Sequence, residues 1–372
     1  MPSTNLTDFR TQYLAKVKGR LTAADVANSS DTDLILQSAL LKAYDSVNRF
    51  DSIAPEAFAP LETMTSAELD DYLLDASNRQ SFELVLSSPE AMKALATSSG
   101  AMGAIATSSK AMSALAASST AMTALAASST ARTALLAQGV AMSAISGSSM
   151  AIGKMAVGIA GLDPQSYADM AAVAASSTAM NAVAASSTAR GVLFGSTGAM
   201  SVLSASSMAI AKMATGASGL DPTAWSDMAA VAASSTAMNA VAASSTAMST
   251  LFSASVARGA IWASATAMTA IQSAPSAVLD ALQSHAQVSM MNNSPSNLTG
   301  TFISGKSMTL RVRVTSGSDT NYMRTLAGGS GSGDDQFNTT STWTARVRAY
   351  NNLTHYNWSG NTTFQAYVVN MN

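Results

Sequence analysis

The chain has no cysteine. That excludes a disulfide framework, a thiolate zinc site and a cysteine nucleophile, and it fits any redox compartment. Charge is also scarce: Asp, Glu, Lys and Arg make up 11% of 372 residues, against 48% hydrophobic. A disordered polymer would be far less apolar. The net charge of −2, from 20 basic and 22 acidic residues, gives no overall field to draw nucleic acid or an anionic membrane. Long apolar runs are missing because Ser or Thr pairs interrupt the sequence about every decapeptide, so no membrane span is expected. The opening residues MPSTNLTDFR lack the apolar centre of a secretory signal. The expectation is a soluble protein made in a cytoplasm and not exported by the Sec route.

What the chain has is a repeat. The phrase SSTAMTALAA (Ser118–Ala127) returns in variants from Ser98 to Ser273, in the frame Ser-Ser-x-Ala-Met-x-Ala-(Leu/Ile/Val)-Ala-x. Such regularity decides architecture before other signals are weighed. One continuous helix would need about 3.3 residues per turn to keep Met and Leu on one stripe, below the 3.5 of a coiled coil. On an unstrained helix the stripe would rotate by about 80° per repeat. Ser-Ser is a poor helix interior and a good N-cap. The spacing therefore predicts short helices of about two turns, each opened by a Ser cap and stacked against its neighbours as a helical solenoid. Methionine, 23 in all, falls mostly at one repeat position beside Ala and Leu, which reads as core filling and not as copper ligation.

A longer period lies above the short one. Ser128–Ala185 matches the segment that directly follows it, Ser186–Ala243, and GLDPQSYADMAAVAA at Gly161 returns as GLDPTAWSDMAAVAA at Gly219. Arg132, Arg190 and Arg258 replace Met at the apolar position. They read as stems that pack while the heads reach solvent, against a basic stripe for a partner as the alternative. Lys154 and Lys212 sit near Asp163 and Asp221, where local pairing would account for them.

Three compositions divide the chain into residues 1–86, 87–287 and 288–372. The first ninety residues carry a net of −7, with apolar spacing for helices at Phe9–Leu21 and Asp33–Phe50 and a capping box at Thr65 and Glu68. This is an acidic helical region, either a cap on the array or a docking domain. After His285 the composition turns to Asn, Thr, Gly and aromatics. Alternation at Thr309–Val314, Thr342–Tyr350 and Thr362–Val369 predicts a small antiparallel β-domain, with a flexible loop at Gly328–Asp335 and a core small enough to invite oligomerisation. The fold class is thus mainly α with a β tip.

The segment Gly300–Ser307 satisfies the pattern G-x4-G-K-S, but a strand follows where phosphate binding needs a helix, so no nucleotide or other cofactor is expected. Arg311 and Arg313 share one strand face, and Arg346 and Arg348 another. If the strands pair, four guanidiniums form a patch for phosphate or carboxylate, with a solvated face as the bland alternative. Tyr322, Trp343, Tyr350, His355, Tyr356 and Trp358 supply planar groups of the kind that stack on sugars, or else an aromatic core. Neither histidine has a triad or metal spacing, so neither an enzyme site nor a metal site is expected.

Runs such as SSPEAMKALATSS, SSKAMSALAASSTAMTALAASSTA and AAVAASSTAMNAVAASSTAM resemble the Ala/Ser/Met repeats of bacteriophage tail-fibre and other virion appendage proteins, over roughly residues 86–273. The resemblance transfers no functional residues. It implies a structural viral protein located in the virion, with an N-terminal region that attaches to other virion proteins, a repeat shaft as spacer, and a C-terminal tip that adsorbs to a host-surface glycan receptor. Many fibre shafts are β-structured trimers, whereas this one reads as helical, which leaves homo-oligomerisation open. The runner-up is an architectural collar, head-fibre or decoration component whose β-domain binds another viral protein. A cellular adhesin would need an export signal, and a tip depolymerase is the enzymatic alternative.

Overall fold

The computed structural model describes residues 61–293, 299–316, 321–325, 335–337, 343–357 and 363–372. The helices expected at Phe9–Leu21 and Asp33–Phe50 lie outside the described residues. Among the described residues the chain is mainly α, with twenty short α-helices followed by a six-stranded antiparallel sheet. None of these helices is long and apolar enough to cross a membrane. Contacts divide the chain into two units. One holds the described residues up to Val173 with Gly191–Ala199, the other Ala174–Arg190 and Met200–Asn372.

In the first unit, α1 (Ser66–Tyr72) opens at the expected capping box: the Glu68 amide donates to Thr65 Oγ1 (3.3 Å) and the Thr65 amide to Glu68 Oε2 (2.8 Å). After α2 (Ala76–Ser87) and α3 (Pro89–Leu95) each decapeptide forms one helix: α4 (Ser99–Thr107), α5 (Ser109–Ala117), α6 (Ser119–Ala127), α7 (Ser129–Leu136), α8 (Gly139–Ser146) and α9 (Ser149–Ile159). The break between helices is local. Ser118, extended at φ −95° and ψ 115°, is at once the C-cap of α5 and the N-cap of α6. Its hydroxyl accepts from the Ala121 amide (3.2 Å) and donates to the Leu86 carbonyl (2.9 Å). Ser148 repeats this on Ala116, and Ser128 on Ala96, each 32 residues back.

That step sets the stacking. α6 packs on α3, α7 on α4, α8 on α5 and α9 on α6, so three decapeptides complete one layer. Ala121, Met122, Leu125 and Ala126, on one helix face, are fully buried. At Ser98 and Ser108, early in the array, carboxylates take the place of the carbonyl. Ser98 donates to Glu62 Oε1 (2.9 Å), and Ser108 Oγ (2.5 Å) and the Lys110 amide (3.0 Å) donate to Asp70 Oδ1. Burial opposes the Asp70 charge, but the bonds from Ser108, Lys110 and Ser109 outweigh it and hold the carboxyl below its usual value.

α10 (Met170–Ala175), α12 (Ser187–Phe194) and α13 (Thr197–Ser204) contribute residues to both units. The second unit contains α11 (Ser177–Ala185), α14 (Ser207–Ala217), α15 (Met228–Ala233), α16 (Ser235–Ala242), α17 (Ser245–Ser253), α18 (Ser255–Trp262), α19 (Ala265–Gln272) and α20 (Ser276–Ala281). The same rule holds: α14 packs on α11, α17 on α14, α18 on α15 and α19 on α16, and Ser264 donates to Ala232, again 32 residues back.

The Gly-Leu-Asp-Pro turns close the two longest array helices, α9 and α14, identically. Gly161 and Gly219 both have φ +81°, and the next amides, Leu162 and Leu220, reach back to Val157 (2.9 Å) and Thr215 (3.0 Å). This is the Schellman closure, which needs a left-handed residue best supplied by glycine. One turn earlier, a Cβ on Gly158 would lie 2.1 Å from the Ala126 carbonyl oxygen, and one on Gly216 2.0 Å from that of Ala184. Each helix backbone thus lies directly on the layer beneath it.

The sheet comprises β1 (Val288–Asn293), β2 (Thr299–Ser316), β3 (Asn321–Thr325), β4 (Asp335–Phe337), β5 (Thr344–Asn357) and β6 (Thr363–Asn370), in the order β1-β6-β2-β5-β3-β4. It shares one core with the last helices: Leu251, Phe252, Ile261, Ile271 and Leu279 join Met308, Leu310, Val369 and Met371. The change of composition at residues 287/288 is therefore not a change of core. Asp335, expected in a flexible loop, opens β4 opposite Met323, and the rest of that loop lies outside the described residues. Gly300–Ser307 lies wholly within β2, which continues as strand to Ser316 where phosphate binding needs a helix.

Two substitutions test this packing. Gly158→Ala is expected to destabilise the chain by about 1–3 kcal/mol through overpacking, while Gly103→Ala, with open space around it, is expected to be neutral or stabilising; denaturant unfolding separates them. In the same assay Ser118→Ala should lose about 1–2 kcal/mol with its cap, and Ser119→Ala, on the exposed position beside it, close to nothing. Equal effects of the two serine variants would sink the account of the cap.

Candidate binding face of the C-terminal sheet

The strands bearing the four arginines do pair. Thr309 lies opposite Arg348 and Arg311 opposite Ala345, with an irregularity in between that gives β5 one extra residue. Arg311 is nevertheless not part of a free patch. It is 7% exposed, and its Nη2 donates to Asp280 Oδ2 (2.8 Å) and to the Ser276 carbonyl (2.9 Å) of α20, while Nη1 donates to the Trp343 carbonyl (3.3 Å). The reading of Arg311 as a receptor contact is corrected accordingly: it anchors the sheet to the last helix. Its carboxylate partner is distant in sequence and on a different element, which strand alternation does not reveal.

Arg313 is differently placed. It is half-buried, its Nε donates to Gln365 Oε1, and its guanidinium lies 4.6 Å from the centre of the Trp343 ring. Trp343 in turn lies 4.7 Å from Tyr367 at an interplanar angle of 40°. The register explains the group, since Arg313 pairs with Gln365 and Arg311 with Tyr367 across β2 and β6. Gln365 and Tyr367 did not stand out in the sequence, although the alternation of β6 carries them. The arrangement presents a fixed cation, an amide and two half-buried rings together, a set suited to the polar edge and apolar face of a sugar.

The remaining candidates are placed by backbone only. Tyr322 pairs with Tyr356, Met323 with His355, and Ser307 with Tyr350. The side chains of Tyr322, Arg346, Arg348, Tyr350, His355 and Tyr356, and Trp358 entirely, lie outside the described residues. Lys306, from the formal nucleotide pattern, lies 5.9 Å from the Trp262 ring centre, and its amide donates to Asn372 Oδ1 (3.2 Å).

The repeat arginines form no solvent stripe. Arg132 donates to the Ala126 carbonyl (2.7 Å), Arg190 to Ala184 and Arg258 to Phe252 (2.6 Å), each six residues back at the end of the preceding helix. The heads thus satisfy terminal carbonyls that a helix leaves open; Arg132 and Arg190 remain half-exposed, and only Arg258 is buried away from the solvent it was expected to reach. Arg258 also binds the Asn372 oxygen (3.0 Å), and burial lowers its pKa and that of Arg190. The lysines correct a second expectation. Lys154 and Lys212, each 3% exposed, bond to carbonyls and not to the neighbouring aspartates. Asp163 and Asp221 instead accept the amides of Gln165 and Thr223 (both 2.9 Å). Burial lowers both lysine pKa values, with the aspartates opposing.

No family model matches the chain, and no curated protein is significantly similar to it.

His285 joins the last helices to the sheet. Its Nδ1 accepts from the Gln287 amide (3.1 Å), so Nε2 carries the proton toward the Ser249 carbonyl (3.2 Å) and Ser253 Oγ (3.2 Å). Burial first, and then the Arg258 charge, hold its pKa below the usual histidine value against the pull of Ser249. A depressed histidine pKa makes the contribution complete above about pH 6.5 and progressively lost as pH falls through the folded value. Denaturant unfolding at pH 7.5 and pH 5 should therefore show a loss of stability on acidification that is smaller in His285→Gln; identical pH slopes in the two proteins would refute this.

Proposed function

We propose that the chain is a non-enzymatic structural virion protein, a bacteriophage tail fibre or similar appendage, whose repeats act as a spacer and whose sheet adsorbs to a host-surface glycan. The observation that carries this reading is extendability. Ser118, Ser128, Ser148 and Ser264 each start a helix and bond to a carbonyl 32 residues back, so a duplicated segment can carry such an attachment with it. Each added helix layer contributes about 8–10 Å of packing distance, and tandem duplication of the long repeat changes reach without changing either end. Arg313, Trp343, Gln365 and Tyr367 supply the recognition chemistry. The acidic N-terminal region would dock to other virion proteins, and association with further copies of the chain is compatible with this layout.

A second reading, an architectural collar, head-fibre or decoration component, draws support from Arg311. With that guanidinium engaged by Asp280, less of the expected basic patch is left for a receptor. The test uses the purified full chain on a bacterial glycan array and in competition with phage for host cells. The expected outcome is glycan binding that weakens about tenfold or more in Arg313→Ala and Trp343→Ala, consistent with desolvated cation and ring contacts. A chain that neither binds cells nor competes with phage loses the receptor part of the proposal, and its position in a reconstructed particle then decides for the architectural reading.

A further inference from the structure

The first unit contains an open groove of about 750 Å³, where Thr97, Thr120, Thr123, Lys93, Lys154 and Asp163 are among the lining residues. That volume falls within the range of small-ligand clefts, but the lining is unusually rich in hydroxyls and charge. The groove runs beside α6 and the Gly-Leu-Asp-Pro turn. The turn recurs one long repeat further on, and at that same offset Thr123, Lys154 and Asp163 correspond to Asn181, Lys212 and Asp221. The turn at Pro222–Ala224 lies against α11 as the turn at Pro164–Ser166 lies against α6.

Three polar groups at these positions are not used up by the protein. At three other repeats the hydroxyl five residues after the cap folds back onto its own helix, Ser113 to Ser109, Thr133 to Ser129 and Thr269 to Ala265, at 2.8–2.9 Å, while at Ser143, Ser201 and Ser249 it makes no such bond among the described residues. Thr123 holds the same repeat position and makes no such bond among the described residues. At the duplicated position Asn181 Oδ1 is buried and has no partner among the described residues. Lys212, 3% exposed, has one hydrogen-bond acceptor among the described residues, Pro222 O at 2.7 Å, for an ammonium with three donors. Thr123 is half-buried, but buried groups such as Asn181 Oδ1 and the Lys212 ammonium are costly in this state unless something else completes them.

We infer that each Gly-Leu-Asp-Pro turn forms a binding site for an acetamido sugar, one at Thr123 and Lys154 and one at Asn181 and Lys212. An acetamido group carries the matching pair: its N–H donates to Asn181 Oδ1 and its carbonyl accepts from the lysine ammonium. The ring hydroxyls, each both donor and acceptor, suit the groove's threonines and the free oxygen of Asp163. These sites lie in the repeats, apart from the sheet residues proposed for adsorption, and do not depend on that proposal.

The test is a calorimetric titration of the full chain with the trimer of N-acetylglucosamine, and with the glucose trimer that lacks the acetamido group. Saturable binding of the acetylated trimer at two sites per chain is expected, with the glucose trimer at least about tenfold weaker, as for a lost pair of hydrogen bonds. Thr123→Val and Asn181→Leu, singly, should each remove one site while thermal unfolding confirms that the fold persists. Trp343→Ala should leave both sites intact. Several results would overturn the inference: no saturable binding of the acetylated trimer, equal binding of both trimers, binding of an N-acetyl dipeptide amide instead of the sugar, or binding lost in Trp343→Ala and kept in the groove variants. The last of these would assign the sugar to the sheet and leave the adsorption proposal standing.

Discussion

The array depends on the serine hydroxyl that starts most of its decapeptide helices. A two-turn helix is not stable in water, because nucleation costs more than so few hydrogen bonds return. The cap serine relieves this in two directions. As an acceptor it satisfies an amide at the start of its own helix, and at Ser118, Ser128, Ser148 and Ser264 it also donates to a carbonyl one layer back, as Ser118 does with Ala121 and Leu86. Methionine and leucine then fill the space between layers, and alanine lets the backbones approach. Ser128 and Arg132 show how complete the arrangement is: one bonds the Ala96 carbonyl and the other that of Ala126, so open carbonyls at helix ends find donors without water.

Early in the array two cap serines, Ser98 and Ser108, donate to carboxylates instead of carbonyls. Glu62 and Asp70 provide the acceptors there. This gives the acidity of the N-terminal region a structural component alongside any docking role. In the second unit the sheet takes over the apolar faces of the last helices, with Met308, Leu310 and Met371 continuing the core. Arg311 to Asp280 and Arg258 to Asn372 fix the junction. The sheet needs no core of its own size because it borrows one.

Local chemistry was legible in the sequence and its long-range consequences were not. Ser-Ser before an alanine-rich run announces a cap wherever it occurs, and the Thr65–Glu68 box and the strands at Thr309–Val314 and Thr362–Val369 are equally self-contained. The layer of three helices was hidden, since it follows from the angle between successive helices, which the extended cap residue sets and no spacing encodes. The charged residues misled for a related reason. Sequence proximity paired Lys154 with Asp163, but that carboxylate already accepts the Gln165 amide, and the ammonium turns to the carbonyls of Pro164 and Tyr167. Of the expected arginine patch, Arg313 holds its place beside Trp343, while Arg311 is claimed by an aspartate on another element.

The scarcity of charge acquires a meaning from this. In a stack joined by neutral hydroxyl-to-carbonyl bonds, an ionised side chain in the interior must find carbonyls of its own, as the three repeat arginines and two buried lysines do. Each such residue requires a local exception: a left-handed glycine, an interposed proline turn, or a bare helix end. Exceptions that recur once per long repeat are the points where an otherwise uniform array differs from itself, and so the points where a ligand could tell one decapeptide from the next. A spacer made of decapeptides alone would offer no such feature. The duplication therefore extends the array and multiplies its distinguishable sites in the same step.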